Sequence, residues 1–329
     1  MNVHLKSNVK LKHSTILAIL AMIALLFCVL YMTVEVDRSK QMFIDYAMYI
    51  RKPKLWSMVI AAFCIGTASV AFQSVIRNTL VTPCLLGMNS LYSLINTTIY
   101  FFVGSGSVWV MNKYASFGLN LVIMGVVGTA IYGFLFRKTK SNVLYVILAG
   151  TVLSNFFGSI QTTLTRIMDP NAYDTLLTKL IAGFSNVNTD ILLLATVVCA
   201  VIVVVFWRYI RLLDVMTLGK DQAINLGVDY DKSVARILLA VVLLIATATA
   251  VVGPLSFMGL ILSNLARQLF RTYRHTYLLL GAFLLGVILL VGGQLLIEHV
   301  FAFGTSISVF ISMFGGSYFL YLIMKNKGA

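Results

Sequence analysis

Charge is scarce in this sequence. Only 11% of its 329 residues are Asp, Glu, Lys or Arg, against roughly 25% in an ordinary globular chain, while 60% are apolar. That balance excludes a soluble enzyme, a disordered tail and a nucleic-acid-binding domain, although a formal net charge of +14 would by itself suggest the last. Cysteine is equally sparse. Cys28, Cys64, Cys84 and Cys199 stand singly in or beside apolar stretches with no CxxC spacing, and read as small apolar packing residues. His4, His13, His275 and His299 form no HxxxH or HExxH pattern, so no metal site is expected. No GxxxxGK[ST] loop occurs, which removes that device for holding ATP, and no cofactor is implied for the chain itself.

Long apolar runs are what the sequence does have. A hydrocarbon core of about 30 Å needs about 20 apolar residues per helical crossing. Runs of that order cover 14–32, 55–76, 85–103, 117–136, 143–164 and 191–209. The next run, 237–265, is too long for one upright helix, and Gly253 with Pro254 divides it. Runs 277–297 and 307–324 complete a count of ten. The expected fold is an all-α polytopic bundle of about ten transmembrane helices in a single domain, 1–329. Run 14–32 is long for a signal peptide's apolar segment and no small-residue cleavage site follows it, so it is expected to stay as the first span.

Loop charge supports the division at Gly253. With the basic tail 1–13 inside, ten spans place 17 of the 25 Lys and Arg on the inner side, as the positive-inside rule asks. Merging the long run would leave 12 inside and 13 outside. Acidic residues sort the other way, with Glu35, Asp37, Asp45, Asp169, Asp174, Asp190 and Glu298 outer. The basic character is therefore a topology signal, with a lipid bilayer and no nucleic acid as its partner.

No run carries Asp or Glu near its middle, where ion-coupled carriers usually place ionisable groups. Energy must then come from outside the chain, or the protein is a passive pore. The longest polar insert, about 212–236 on the inner side, contains apolar Leu218, Ile224 and Leu226 between Gly219 and Gly227. It reads either as one or two short docking helices or as a solvated loop.

This insert resembles the LGxxxAxxLGV coupling region of the FecCD-type permeases, the membrane subunits of ABC importers for iron chelates, haem and vitamin B12. Four further stretches agree in order. Arg51-Lys52-Pro53-Lys54 resembles the family's RxPR, and Gln73 followed by Arg77 to Gly87 resembles Q…RNPLAxPxxLG. Gly253 to Leu260 with Ala266-Arg267 resembles GPIxFxGLxxPHxAR, and Gly315 to Leu320 resembles GxPxFxxLL. Thr79 in place of proline, Leu91 in place of a usual glycine and Ser263-Asn264 in place of Pro-His resemble the branch serving catecholate and mixed catecholate-carboxylate siderophores such as petrobactin and anguibactin.

The resemblance implies a type II ABC importer permease in a bacterial cytoplasmic membrane with both termini cytoplasmic. It implies a second permease, paralogue or self, and an ATPase dimer that binds ATP-Mg. An extracytoplasmic siderophore-binding protein and a ferric siderophore complete the set, and the chain itself is no enzyme. Leu218, Gly219, Ala223, Leu226 and Gly227 would couple to the ATPase. Arg51 and Lys54 would meet acidic residues of the binding protein, where the plain alternative is snorkelling to headgroups. Asn155, Ser159 and Thr162 on the fifth span and Ser308 and Ser312 on the tenth would line the path, or serve as ordinary helix contacts. Arg77 with Asn78 and Gly253 with Pro254 read as structural. An ion-coupled carrier, a membrane-embedded enzyme, and a haem or vitamin B12 permease are the alternatives.

Overall fold

The computed structural model describes residues 12–34, 41–104, 106–138, 143–184, 187, 189–301 and 305–326. Most of the basic tail, with Lys6 and Lys10, lies outside these residues, as do Glu35, Asp37, Lys140 and Lys327. Among the described residues every regular element is helical. In chain order they are α1 (His13–Thr33), α2 (Gln41–Ile76), a π-helical turn (Cys84–Met88), α3 (Asn89–Val103), α4 (Val108–Met111), α5 (Lys113–Lys138) and α6 (Val143–Ile167). Then come α7 (Pro170–Leu180), α8 (Thr189–Met216), α9 (Lys220–Asn225), α10 (Tyr230–Val252), α11 (Met258–Phe270), α12 (His275–His299) and α13 (Ile307–Asn326).

All ten apolar runs fold as helix, but seven helices are long and apolar enough to cross a membrane: α1, α2, α5, α6, α8, α10 and α12. The count of ten crossings is therefore not confirmed by helix length. With 15 and 13 residues, α3 and α11 reach only about 20 Å at about 1.5 Å per residue, short of the roughly 30 Å core. The apolar part of α13, Ile307–Leu322, is also short. Residues 237–265 divide as expected. Gly253 has φ 84° and its N–H donates to Thr249 O, closing α10. A Cβ there would meet Ala182 Cα at 2.8 Å, so the turn needs glycine for both conformation and space.

Two boundaries also move. The second helix starts at Gln41, well before residue 55, and runs through Pro53. Pro53 cannot give the hydrogen bond that would close its own turn, yet the helix of 36 residues carries it about 18 Å from its start, in a total length of about 54 Å at 1.5 Å per residue. The polar insert narrows from 212–236 to 217–229, because α8 continues to Met216 and α10 begins at Tyr230.

The core is the crossing of α2 and α12. An added Cβ at Gly66 would lie 3.1 Å from Ala282 C and O, and one at Gly286 would lie 2.9 Å from Ala62 Cβ. Ala62 and Gly66 are four apart on α2, as are Ala282 and Gly286 on α12, so each helix offers one small-residue stripe to the other. Around this pair α1 packs on α12, α10 on α2 and α5, and α11 on both α2 and α12. By contrast α6 leaves most of its surface exposed.

Because interiors are close-packed, overfilling the crossing should be costly. Gly286→Leu is expected to destabilise by about 1–3 kcal/mol or more, lowering the melting temperature of the purified protein. Gly118→Ala, at a helical glycine with nothing near an added Cβ, should be neutral or slightly stabilising. Equal melting of the two variants would reject this crossing as the core.

Candidate functional site

Two of the stretches singled out in the sequence meet at one end of the bundle. Thr79 O accepts from Gln73 Nε2 at 2.6 Å and from Asn264 Nδ2 at 2.9 Å. Arg267 donates through Nε to Gln73 Oε1 at 3.3 Å and through Nη2 to Ser74 Oγ at 2.9 Å. The Gln73–Gly87 and Gly253–Arg267 stretches are thus one structure. Asn78 Oδ1 accepts from Leu80 N at 2.8 Å, and Pro83 precedes the π-helical turn, where Gly87 adopts φ 102°. The structural reading of Arg77-Asn78 fits this geometry. Farther along α11 and α13, Gly315 lets the last helix close on the first: an added Cβ would sit 2.5 Å from Phe257 Cβ.

The coupling segment is built on this platform. Gly219, with φ 114°, precedes α9, and Arg77 Nη1 lies 3.5 Å from where its Cβ would be. The guanidinium at the end of α2 therefore lies beside the start of α9. Ala223 is fully buried, whereas Leu218 and Leu226 are 51% and 63% exposed. Gly227 has φ 81° with open space around it. The segment is thus one short helix flanked by exposed leucines, and the solvated-loop alternative does not describe it.

Sequence reasoning missed the group that fixes this end. His275 begins α12; its Nδ1 lies 2.5 Å from Asp214 Oδ1 near the end of α8, and its Nε2 lies 2.7 Å from Ser74 Oγ on α2. Asp214 also accepts from the His275 backbone N–H at 2.7 Å. These partners are 61 and 201 residues from His275, so no local spacing could reveal them. Cys64 and Cys199 also meet, with Sγ atoms 3.2 Å apart between α2 and α8.

At the opposite end, Arg51 and Lys54 have internal partners. Arg51 Nη1 donates to Tyr31 O at 2.8 Å and Val34 O at 2.7 Å, satisfying carbonyls left open where α1 ends. Lys54 Nζ pairs with Glu298 Oε1 at 3.3 Å, with the two side chains only 12% and 8% exposed. Tyr31 OH and Gln294 Nε2 donate to the same oxygen at 3.2 and 2.8 Å. The pair Arg51 and Lys54 thus joins α1, α2 and α12, while Lys52 between them is exposed.

Among the described residues one cavity of about 540 Å³ lies among α2, α8, α10 and α12 and is largely apolar. Another, about 640 Å³, opens near the first turn of α5 and the last turns of α7, α10 and α12 and is lined by Lys113, Ser116, Asn120, Lys179, Gln294 and Thr305 among others. None of Asn155, Ser159, Thr162, Ser308 or Ser312 lines either cavity. Asn155, Ser159 and Thr162 are exposed on α6, and the hydroxyls of Ser159 and Thr162 donate to their own helix. Ser308 and Ser312 are half-buried on α13.

The sequence pattern of the FecCD transport family matches residues 9–325. The chain belongs to that family. It is 38% identical over 283 residues to the petrobactin import permease YclO of Bacillus subtilis, covering 86% of this chain and 90% of that one. It is 32% identical over 271 residues to the petrobactin import permease FatC of Bacillus anthracis, covering 82% and 77%. An inward-facing metal-chelate-type ABC transporter superposes with a TM-score of 0.79 over 95% of this chain and 100% of that one, at 22% identity. That superposition gives the FecCD chain its fold; the sequence match gives it its family.

If Lys54 holds the outer end together, Lys54→Met should destabilise the isolated permease, by up to about 3–5 kcal/mol for a broken buried pair. Lys52→Met should change little. Adding Glu298→Gln to Lys54→Met should recover part of the loss. Melting curves of the four proteins without any binding protein read this directly, and identical curves for the Lys52 and Lys54 variants would refute it.

Proposed function

We propose that this chain is the permease subunit of an ABC importer that carries a ferric siderophore, of catecholate or catecholate-carboxylate type, across a bacterial cytoplasmic membrane. The observation that carries this reading is the 38% identity to a petrobactin import permease over most of both chains. Two permeases form the path, and the exposed faces of α6 and α13, with Asn155, Ser159, Thr162, Ser308 and Ser312 among them, face it. The termini and α9 lie in the cytoplasm. The chain does no catalysis. ATP-Mg binds and is hydrolysed on a separate ATPase dimer, and its differential affinity for two states of the complex supplies the work.

In this reading the exposed leucines around α9 seat in the ATPase, and Gly219 and Arg77 pass its displacement to α2. A siderophore-binding protein docks at the outer end, whose surface Arg51 and Lys54 hold in shape through the end of α1 and Glu298. Uptake in proteoliposomes holding permease, ATPase and binding protein tests the reading. Ferric chelate should enter only with ATP hydrolysis and should survive a protonophore. Uptake that persists with a hydrolysis-dead ATPase and stops with the protonophore would overturn it.

The coupling surface has its own test. Leu218→Asp, at an exposed site, should leave insertion and melting nearly unchanged, whereas Gly227→Val, at a position with φ 81°, should insert but strain its turn and lower melting somewhat. ATP hydrolysis by the assembled complex should then proceed without matching transport. Normal transport per ATP in both variants would remove these residues from the coupling surface.

A further inference from the structure

The apolar cavity among α2, α8, α10 and α12 is a groove with the depth of one leaflet. Along α8 its lining runs from Ile202 to Asp214, about 18 Å at about 1.5 Å per residue, and that is close to half of a hydrocarbon core about 30 Å thick. Phe63, Leu244 and Phe283 close its deep end, and Arg211 and Thr276 stand where the spans meet their loops. Trp207 and Leu280 of the lining are 53% and 44% exposed, so the groove opens sideways at the protein surface. No residue of α6 or α13 lines it. It therefore lies off the path assigned above to two permeases.

Cations without a carboxylate partner gather at the loop end. Arg211 lines the groove, and Arg236 of α10 stands over the ring of Tyr209, another lining residue, with Cζ 4.9 Å from the centroid. Among the described residues no carboxylate comes within ion-pair distance of either guanidinium. Asp214, the carboxylate of the lining, is already engaged by the backbone N–H and ring of His275. Trp207 and Arg211 are four apart and so share one side of α8, which puts an indole suited to the headgroup boundary beside a basic side chain. Deeper in, the Thr67 hydroxyl donates to Phe63 O, leaving a wall that offers a ligand apolar contact.

We propose that this groove binds an anionic phospholipid of the cytoplasmic leaflet, with one acyl chain along the groove and the phosphate on Arg211 and Arg236. An apolar groove gives water few partners, whereas an acyl chain of the surrounding leaflet has the right polarity and reach. Guanidinium forks match phosphate oxygens, and basic pockets between spanning helices suit anionic headgroups. A zwitterionic lipid brings the same chain and phosphate but carries its own ammonium, so preference for the anionic lipid measures what the two arginines add. The bound lipid would tie α8 to α10, the two helices that α9 connects. Only the choice of leaflet rests on the cytoplasmic placement of α9 proposed above.

The test uses the purified full-length chain with Trp56→Phe and Trp109→Phe, which leaves Trp207 as the sole indole. It is placed in phosphatidylcholine nanodiscs containing graded fractions of phosphatidylglycerol or phosphatidylcholine brominated on the acyl chains, and quenching of Trp207 is read. Brominated phosphatidylglycerol should be preferred about fivefold or more, the scale of one arginine near an anionic headgroup. Arg211→Gln and Arg236→Gln together should bring the two lipids level, whereas Lys138→Gln, an exposed cation at the same end of the bundle on α5, should leave the preference intact. Equal quenching by both lipids, or a loss in Lys138→Gln as large as in the double arginine variant, overturns the inference. Quenching by neither lipid would mean that a second copy of the chain covers the groove, and overturns it too. Lipid counting on the wild-type chain after delipidation in detergent gives the same reading without the tryptophan changes: phosphatidylglycerol should stay bound over phosphatidylcholine, and retention of neither or of both alike sinks the site. Neither measurement uses ATPase or chelate, so a failure of ATP-driven uptake would count against the proposed function and leave the lipid site standing.

Discussion

The close crossing of α2 and α12 is the constraint on which the rest of the bundle depends. Lipid supplies no hydrophobic drive to press one apolar helix against another, so packing and hydrogen bonds must hold them. Backbones approach only where side chains are absent or small, and Ala62, Gly66, Ala282 and Gly286 provide that stripe on both helices. With α2 buried along most of its apolar length, α1, α8, α10, α11 and α13 pack on it or on its partner, and α5 joins through α10. Helices α1, α10 and α11 complete the shell around this pair, and α6 and α13 are left with broad exposed faces.

The same two helices carry the polar joints at both ends. Near one end Lys54 of α2 meets Glu298 of α12, with α1 drawn in through Tyr31 and the Arg51 contacts. Near the other, Ser74 of α2 meets His275 of α12, with α8 drawn in through Asp214 and α11 through Arg267. A pair of rods tied at both ends and interlocked in the middle is stiff. The start of α9 abuts Arg77 just beyond α2, so this short helix rests against the frame.

The sequence made the helical runs legible because a bilayer leaves little alternative: a spanning backbone must satisfy its own hydrogen bonds, and its side chains must be apolar for about 20 residues at a time. The turn at Gly253 was visible for an equally local reason, its glycine, whereas the spacing in the insert left short helices and a loop both open. Crossing number was less visible, because apolarity does not separate a full span from the short α3 and α11. The start of α2 was hidden by Pro53, which marks a boundary in most helices but is carried inside this one. Helix α7 went unread although Asp169-Pro170 is a standard helix opening, and with it the setting of Lys179. The Ser74–His275, Lys54–Glu298 and Cys64–Cys199 contacts join residues more than 130 apart, and nothing at either partner announces the other. Arg51 and Lys54 show the cost of that blindness: two basic side chains at a helix mouth look outward in sequence and prove to be tied inward.

Polar groups well inside the bundle are neutral, and most are satisfied, with Ser69 Oγ and Thr129 Oγ1 among the exceptions. Thr67, Thr247 and Thr249 donate to carbonyls of their own helices, and Asn96 and Asn120 donate to each other's side-chain oxygens as well as to their own helices. Among the described residues the ion pairs gather toward the helix ends. A charge at mid-depth is expensive and is kept where a protein uses it to move ions or protons. This bundle keeps none there among its described carboxylates, lysines, arginines and histidines. The features that break this apolar frame stand at the helix ends: at one, a six-residue helix flanked by exposed leucines; at the other, a cavity whose lining carries Lys113 and Lys179 and no carboxylate among the described residues.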